Sequence, residues 1–249
     1  MKRTPNKEKI EIKPVAFKCD KSLGKDIPFP LPATNAVYLL VGQAGSGKTT
    51  LLTNLIKDIY KKKFNRIWIF APRASLLSLG ETHIFNKYIE DTQHIKHSDI
   101  TGYVFNEISP ELLNICKEEA KQDKEKGWNT LVILDDQMAH LRSNVACEKQ
   151  LIDICANHRH YSMSLMILSQ LYLGGIPKRI RLQACAIFLW RPVKKEIEEI
   201  GEELFSNFDK KEVEICMKEL YQEPHDFIYI TQNKLGWAVY DKDFAKITF

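Results

Sequence analysis

Residues Gly42 to Thr49 read Gly-Gln-Ala-Gly-Ser-Gly-Lys-Thr, and no other eight positions restrict the fold as strongly. Before them runs Ala36-Val37-Tyr38-Leu39-Leu40-Val41, an apolar stretch suited to a buried parallel strand. After them Leu51, Leu52, Leu55, Ile56 and Ile59 recur at helical spacing, which predicts a helix starting near Lys48. Glycines let such a strand-to-helix connection wrap tightly enough for successive N–H groups to converge on phosphate oxygens. The helix N-terminus adds partial positive charge at the same place. The segment therefore reads as a phosphate-binding loop, with Gly42, Gln43, Ala44, Gly45, Ser46, Gly47, Lys48, Thr49 and Thr50 as the expected nucleotide contacts. Lys48 would reach the β- and γ-phosphates, and the Thr49 hydroxyl would ligate Mg²⁺.

The rest of the chain alternates strand and helix patterns. Arg66 to Ala71 predicts a second strand, stopped by Pro72, and Tyr103-Val104-Phe105 a short one. Ser109-Pro110-Glu111 opens a helix reaching about Lys126: serine caps it, proline takes the first turn and glutamate favours the positive end. Thr130 to Leu134 predicts another strand, Cys147 to His158 a helix, and Leu165–Ser169 and Ala186–Trp190 two further strands. Helices near Lys194–Leu204 and Lys210–Leu220 follow. Phe227–Thr231 and Trp237–Tyr240, around Asn233-Lys234-Leu235-Gly236, resemble a β-hairpin. The alternation predicts an α/β fold of the P-loop NTPase class: a mainly parallel sheet covered by helices on both faces, ending in a C-terminal hairpin.

Domain organisation follows from composition. Residues 1–27 carry eight basic against four acidic side chains and little periodicity, so they read as a basic N-terminal arm. Pro28-Phe29-Pro30-Leu31-Pro32 gives an extended entry, and residues 28–249 form the predicted ATPase domain. A second basic group, Lys57, Lys61, Lys62, Lys63, Arg66 and Arg73, follows the loop helix. With a net charge of +4 overall, these groups suit a polyanion partner without requiring one. No apolar run is long enough to cross a bilayer, and the N-terminus is too polar for a secretory signal. Cys19, Cys116, Cys147, Cys155, Cys185 and Cys216 form no Cys-x-x-Cys pair, which suggests reduced thiols rather than a disulfide frame or zinc site. His94 and His97, or His158 and His160, lack the further ligands a metal cage needs.

A phosphate loop alone does not define a reaction; the second acidic element narrows it. Leu131 to Leu134 delivers Asp135-Asp136 to a strand end, where parallel sheets place their ligands. Asp135 is the expected Mg²⁺ carboxylate, from a strand adjoining the loop strand. Asp136 is the expected base for the attacking water, with Gln137 as its alternative. Gln170, after a strand ending in Ser169, is placed to sense the γ-phosphate. Arg159, in Asn157-His158-Arg159-His160-Tyr161, is a candidate arginine finger acting on a neighbouring subunit, and Arg179 and Arg181 compete for that role.

The combination of Gly42–Thr49, Leu131–Asp136, His158-Arg159-His160-Tyr161 and Ile167-Leu168-Ser169-Gln170 resembles the genome-packaging ATPases of large eukaryotic DNA viruses and virophages, including the poxvirus type. These belong to the FtsK/HerA group of P-loop motors. Many relatives carry Asp-Glu where this chain has Asp135-Asp136. The resemblance implies an enzyme that hydrolyses ATP with Mg²⁺, catalytic roles for Lys48, Asp136, Gln170 and Arg159, and a homo-oligomeric ring translocating double-stranded DNA. It also implies a capsid or portal protein as partner, no membrane, and a place at the viral assembly site in the host-cell cytoplasm or in the virion. Segment 74–107 and the Gly174-Gly175 loop are candidate pore loops. Two other readings share the phosphate loop: a nucleoside or nucleotide kinase, and a nucleotide-gated assembly protein. Against the kinase, the chain has no arginine-rich lid segment, and a carboxylate doublet suits water better than a substrate hydroxyl.

Overall fold

A computed structural model describes residues 26–72, 104–205, 210–233 and 236–248. Nearly all of the basic arm, Arg73, His94, His97, Cys19 and most of segment 74–107 lie outside the described residues. Among the described residues, nine strands form one sheet: β1 (Val37–Val41), β2 (Arg66–Phe70), β3 (Val104–Phe105), β4 (Thr130–Asp135), β5 (Met163–Ser169), β6 (Ala186–Trp190), β7 (Phe227–Asn233), β8 (Gly236–Tyr240) and β9 (Lys246–Ile247). Their lateral order is β3-β2-β4-β5-β1-β6-β7-β8-β9. Pairings from β3 across to β6 are parallel. Those of β6 with β7, β7 with β8 and β8 with β9 are antiparallel. The expected hairpin is thus an antiparallel extension of the same sheet, with β9 added beyond it.

One expectation fails here. The acidic strand β4 does not adjoin the loop strand β1, because β5 lies between them. At about 4.8 Å per strand spacing, the carboxylates start about 10 Å from the loop strand.

The helices are α1 (Lys48–Asn54), continued by a π-turn over Leu55–Ile59, α2 (Pro110–Glu125), α3 (Met138–Ser143), α4 (Val145–Asn157), α5 (Lys178–Arg181), α6 (Lys194–Leu204) and α7 (Lys210–Leu220). Strand alternation divides the core in two. Val37, Leu39 and Val41 with Leu165 and Ile167 face Leu113, Leu151, Ile154, Ile200 and Val213 of α2, α4, α6 and α7. Tyr38, Leu40, Ile133, Leu168 and Phe188 face Leu52, Leu55 and Ile56 of α1 and its π-turn. Each fully buried leucine or isoleucine contributes about 1.5–3 kcal/mol relative to exposure, so register is held firmly on both faces.

Local signals explain the boundaries. Ser109 Oγ accepts from the Leu112 N–H at 3.2 Å, the cap expected from sequence. Asn144 Oδ1 accepts from Ala146 and Cys147 N–H at 3.0 and 3.1 Å, which starts α4 at Val145 rather than Cys147. Part of the second basic group is neutralised: Lys63 pairs with Asp26 at 2.6 Å, and Arg66 lies between Glu119 and Asp123. No helix among the described residues is long and apolar enough to cross a membrane.

Candidate nucleotide site

The loop leaves β1 and is tied at once to the next strand, Gly42 N–H donating to Ser169 O at 3.1 Å. Gly42 has no room for a side chain: a Cβ there would meet Trp190 Cβ at 2.7 Å and Ser46 Oγ at 2.8 Å. Gly45 and Gly47 adopt φ of 77° and 102°, left-handed values that let the loop curl onto the start of α1. Thr49 is half-buried in the first turn of α1, and Thr50 is exposed. Lys48 Nζ donates to the Gly42 and Gln43 carbonyls at 2.6 and 2.9 Å.

Three sequence-predicted charges act on one another here. Burial lowers the Lys48 pKa, and the carboxylates of Asp135 and Asp136 oppose that shift. Burial raises the Asp135 pKa, as does the neighbouring Asp136, while Lys48 lowers it. Asp135 ends β4 in register with Leu168, so it lies beside the end of β5. The chain then turns sharply, Asp136 adopting φ of 52°, a conformation aspartate tolerates better than most residues. That turn brings Asp136 Oδ1 to 3.5 Å from Gln170 Nε2, the outer limit of a hydrogen bond, with both residues exposed. Asp136 and Gln170, 34 residues apart, are brought together across the ends of two adjacent strands.

Two candidates are removed. Gln137 is fully buried: its Oε1 accepts from Ile108 N–H at 3.0 Å, and its Nε2 donates to Asn106 O and Asp135 O, both at 3.1 Å. Its amide splints the acidic turn to the segment before α2, with both amide hydrogens taken and the side chain shut away from solvent, so it is not placed to orient water. Arg181 is also buried, donating to both Glu203 oxygens at 2.9 and 2.7 Å and to Ile176 O at 2.6 Å, and lying over the Tyr172 ring at 4.9 Å. A side chain so held cannot serve a neighbouring subunit. Arg181→Ala should lower unfolding free energy by about 3 kcal/mol, since it strands the Glu203 charge, and a denaturant midpoint will register it.

Arg159 and Arg179 are exposed. Arg159 sits in a 3₁₀ turn, His158–Tyr161, that feeds the N-terminal end of β5. The seven residues of β5 put about 20 Å between it and the loop of its own chain. His158 beside it is buried, its Nδ1–H donating to Cys155 O at 2.7 Å, and burial lowers its pKa.

One contact escaped the sequence reading. His225 Nδ1–H donates to Ser46 O of the phosphate loop at 3.2 Å, from a turn before β7. Buried Asp226 shapes that turn, accepting from Gln222 and Glu223 N–H at 2.9 and 2.7 Å and pairing with Lys242 at 2.7 Å. A lone histidine in a polar turn carries no signal that would have found it.

Residues 31–231 match the family model described as the poxvirus A32 protein. The chain belongs to this family of packaging ATPases. The match runs from the proline-rich entry into β7 and so includes the loop, the acidic turn and the Ser169-Gln170 strand end. Among solved structures, the fold is similar to B204, the DNA-packaging ATPase from Sulfolobus Turreted Icosahedral Virus, with a TM-score of 0.56 and 18% identity over 83% of this chain and 97% of that one. It is also similar to the genome packaging NTPase B204 from Sulfolobus turreted icosahedral virus 2 in complex with AMPPCP, with a TM-score of 0.54 and 17% identity over 82% and 96%. The monomer form of the pCW3 conjugation coupling protein TcpA with ATPgS gives a TM-score of 0.54 and 15% identity over 79% of this chain and 57% of that one. Identities this low establish a shared fold. No curated protein matches the chain. Family and loop together make it a P-loop ATPase that binds nucleotide.

Proposed function

We propose that this ATPase is a double-stranded DNA translocase that fills a viral capsid, working as a homo-oligomeric ring. The observation that carries the reading is the meeting of Asp136 and Gln170 beside Lys48, at the C-terminal edge of β1, β5 and β4. In this reading the main-chain N–H groups from Gly42 to Thr50 cradle the phosphates, and Lys48 exchanges its two carbonyl partners for β- and γ-phosphate oxygens. Asp136 accepts the proton of the attacking water, and Gln170 holds the γ-phosphate.

Among the described residues, no cluster of three or more His, Cys, Asp and Glu side chains is built to hold a metal ion by itself. A hydroxyl and one carboxylate, Thr49 and Asp135, do suit Mg²⁺, which takes few protein ligands and fills its octahedron with phosphate oxygens and water. When bound, Mg²⁺ neutralises phosphate charge. The chain's own part is to hold Asp135 at a strand end where burial and Asp136 both disfavour its charge and Lys48 offsets them only in part.

Arg159 lies too far from its own loop to act there, which supports a role on the neighbour's nucleotide and hence a ring. Residues 1–27 form a basic arm ahead of the 28–249 ATPase domain and grip DNA phosphates without reading bases. A capsid or portal protein receives the DNA, at an assembly site in the host-cell cytoplasm or within the virion.

The test is specific ATPase activity against protein concentration, with and without duplex DNA. Activity per subunit should rise steeply with concentration and further with DNA, and Arg159→Ala should abolish the rise while ATP binding persists. Flat specific activity, unchanged by DNA, would remove the ring and the trans-acting arginine together.

A further inference from the structure

Gln170 is exposed, and its side-chain contact with Asp136 is long, so something else must fix where it points. The loop that carries it is held from one helix. Glu196, 8% exposed on the first turn of α6, accepts with Oε1 from the Tyr172 N–H at 2.8 Å and the Leu173 N–H at 3.2 Å. Seven residues later, two helical turns along the same face, Glu203 Oε1 accepts from the Tyr172 hydroxyl at 3.0 Å. Glu203 also takes the Arg181 guanidinium, which lies over the Tyr172 ring, so the far end of the loop is knotted to α6 as well. At the near end, Ser169 Oγ donates to Leu171 O at 2.8 Å. Gly175 packs so closely on Ser169 Oγ and Leu171 O that a Cβ would clash with both.

We propose that Glu196 is a positioning residue for ATP hydrolysis: by clamping two consecutive N–H groups just beyond Gln170, it sets the Gln170 amide opposite Asp136 and makes α6 the helix through which γ-phosphate occupancy is felt. This rests on the reading of Gln170 as the γ-phosphate sensor. The clamp joins the loop after β5 to the helix that follows β6. α6 begins four residues beyond Trp190, at the end of β6, while the clamped loop begins at the end of β5, and β1 with the phosphate loop lies between these strands. A change at the γ-phosphate that moves Gln170 therefore pulls on α6. A shift of α6 conversely withdraws the sensor. Displacements near 1 Å at such a site cost about 10²-fold in rate, so a clamp of two hydrogen bonds is enough to matter.

Three variants, measured for kcat, KM and affinity for ATPγS and ADP, test the assignment. Glu196→Ala should lower kcat at least tenfold and weaken ATPγS binding, while ADP affinity stays within twofold, because the diphosphate has no group for Gln170. Glu196→Gln should stay within about threefold of wild type, since one carbonyl oxygen can accept both N–H bonds as Oε1 does now. Glu196→Asp, which keeps the charge but draws the oxygen back by one methylene, should show the alanine pattern at smaller size, and it decides the matter if the alanine variant does not fold. In a Gln170→Ala background, Glu196→Ala should add less than twofold. If its effect instead multiplies in full there, or ADP affinity falls in step with kcat, Glu196 does not act through Gln170 and the proposal is overturned. If Gln170→Ala alone leaves kcat and the ATPγS-to-ADP preference unchanged, the sensor reading fails first and the proposal falls with it.

Discussion

Lys48→Ala is expected to lower kcat for ATP by about 10³-fold or more, with the folded state intact. Removing a single preorganised donor at a developing charge costs about 10²–10³-fold, and Lys48 adds a full positive charge to that role. Its ammonium is half-buried and feels the charge of two carboxylates, so it works where water screens less than at an open surface. Nothing comparable rests on it structurally. Its bonds go to the Gly42 and Gln43 carbonyls of the loop, and it belongs to neither core. Thermal unfolding should therefore change little, while steady-state phosphate release collapses. Lys48→Arg should not restore the rate, because a planar fork cannot replace a compact ammonium inside a loop this tight. Turnover of the alanine variant at the wild-type rate would remove the loop from the mechanism.

The fold class was legible because its signals are local. Val37 to Val41 is a buried run, and a glycine-rich turn followed by Leu51, Leu52, Leu55 and Ile56 leaves one reading of strand, loop and helix. Asp135 and Gln170 were found at the ends of β4 and β5 because the apolar runs before them end at those positions. What was illegible depends on lateral order or on distant partners. Periodicity says nothing about which strands are neighbours, so the insertion of β5 between β1 and β4 could not be read. Gln137 looked as free as Gln170, but backbone groups of residues 106 and 108 take up its amide. Arg181 looked like an exposed cation until Glu203, 22 residues on, claimed it. His225 reaches Ser46 across 179 residues. In each case a polar side chain whose role sequence left open was settled by hydrogen bonds made only after the sheet assembled.

Asp136→Asn should lower kcat by about 10²–10⁴-fold, the range for removing a general base, with ATP affinity unchanged or tighter. The substitution suits the question because the backbone stays put. Asparagine accepts the left-handed φ of 52° at least as readily as aspartate, keeps an oxygen for Gln170 Nε2, and changes only charge and basicity. Affinity should not suffer, because a carboxylate facing a triphosphate repels it, and its loss also relieves Asp135, whose pKa the Asp136 charge raises. Aspartate is one methylene shorter than the glutamate of many relatives. In this chain the sharp turn at Asp136, rather than side-chain length, carries the carboxylate out toward Gln170. Single-turnover hydrolysis with pre-bound ATP separates the two effects: slow cleavage with retained binding is the expected pattern. A variant that cleaves ATP at the wild-type rate would leave this edge of the sheet without its base, since Gln137 is already spent on the backbone and Asp135 is the proposed Mg²⁺ ligand.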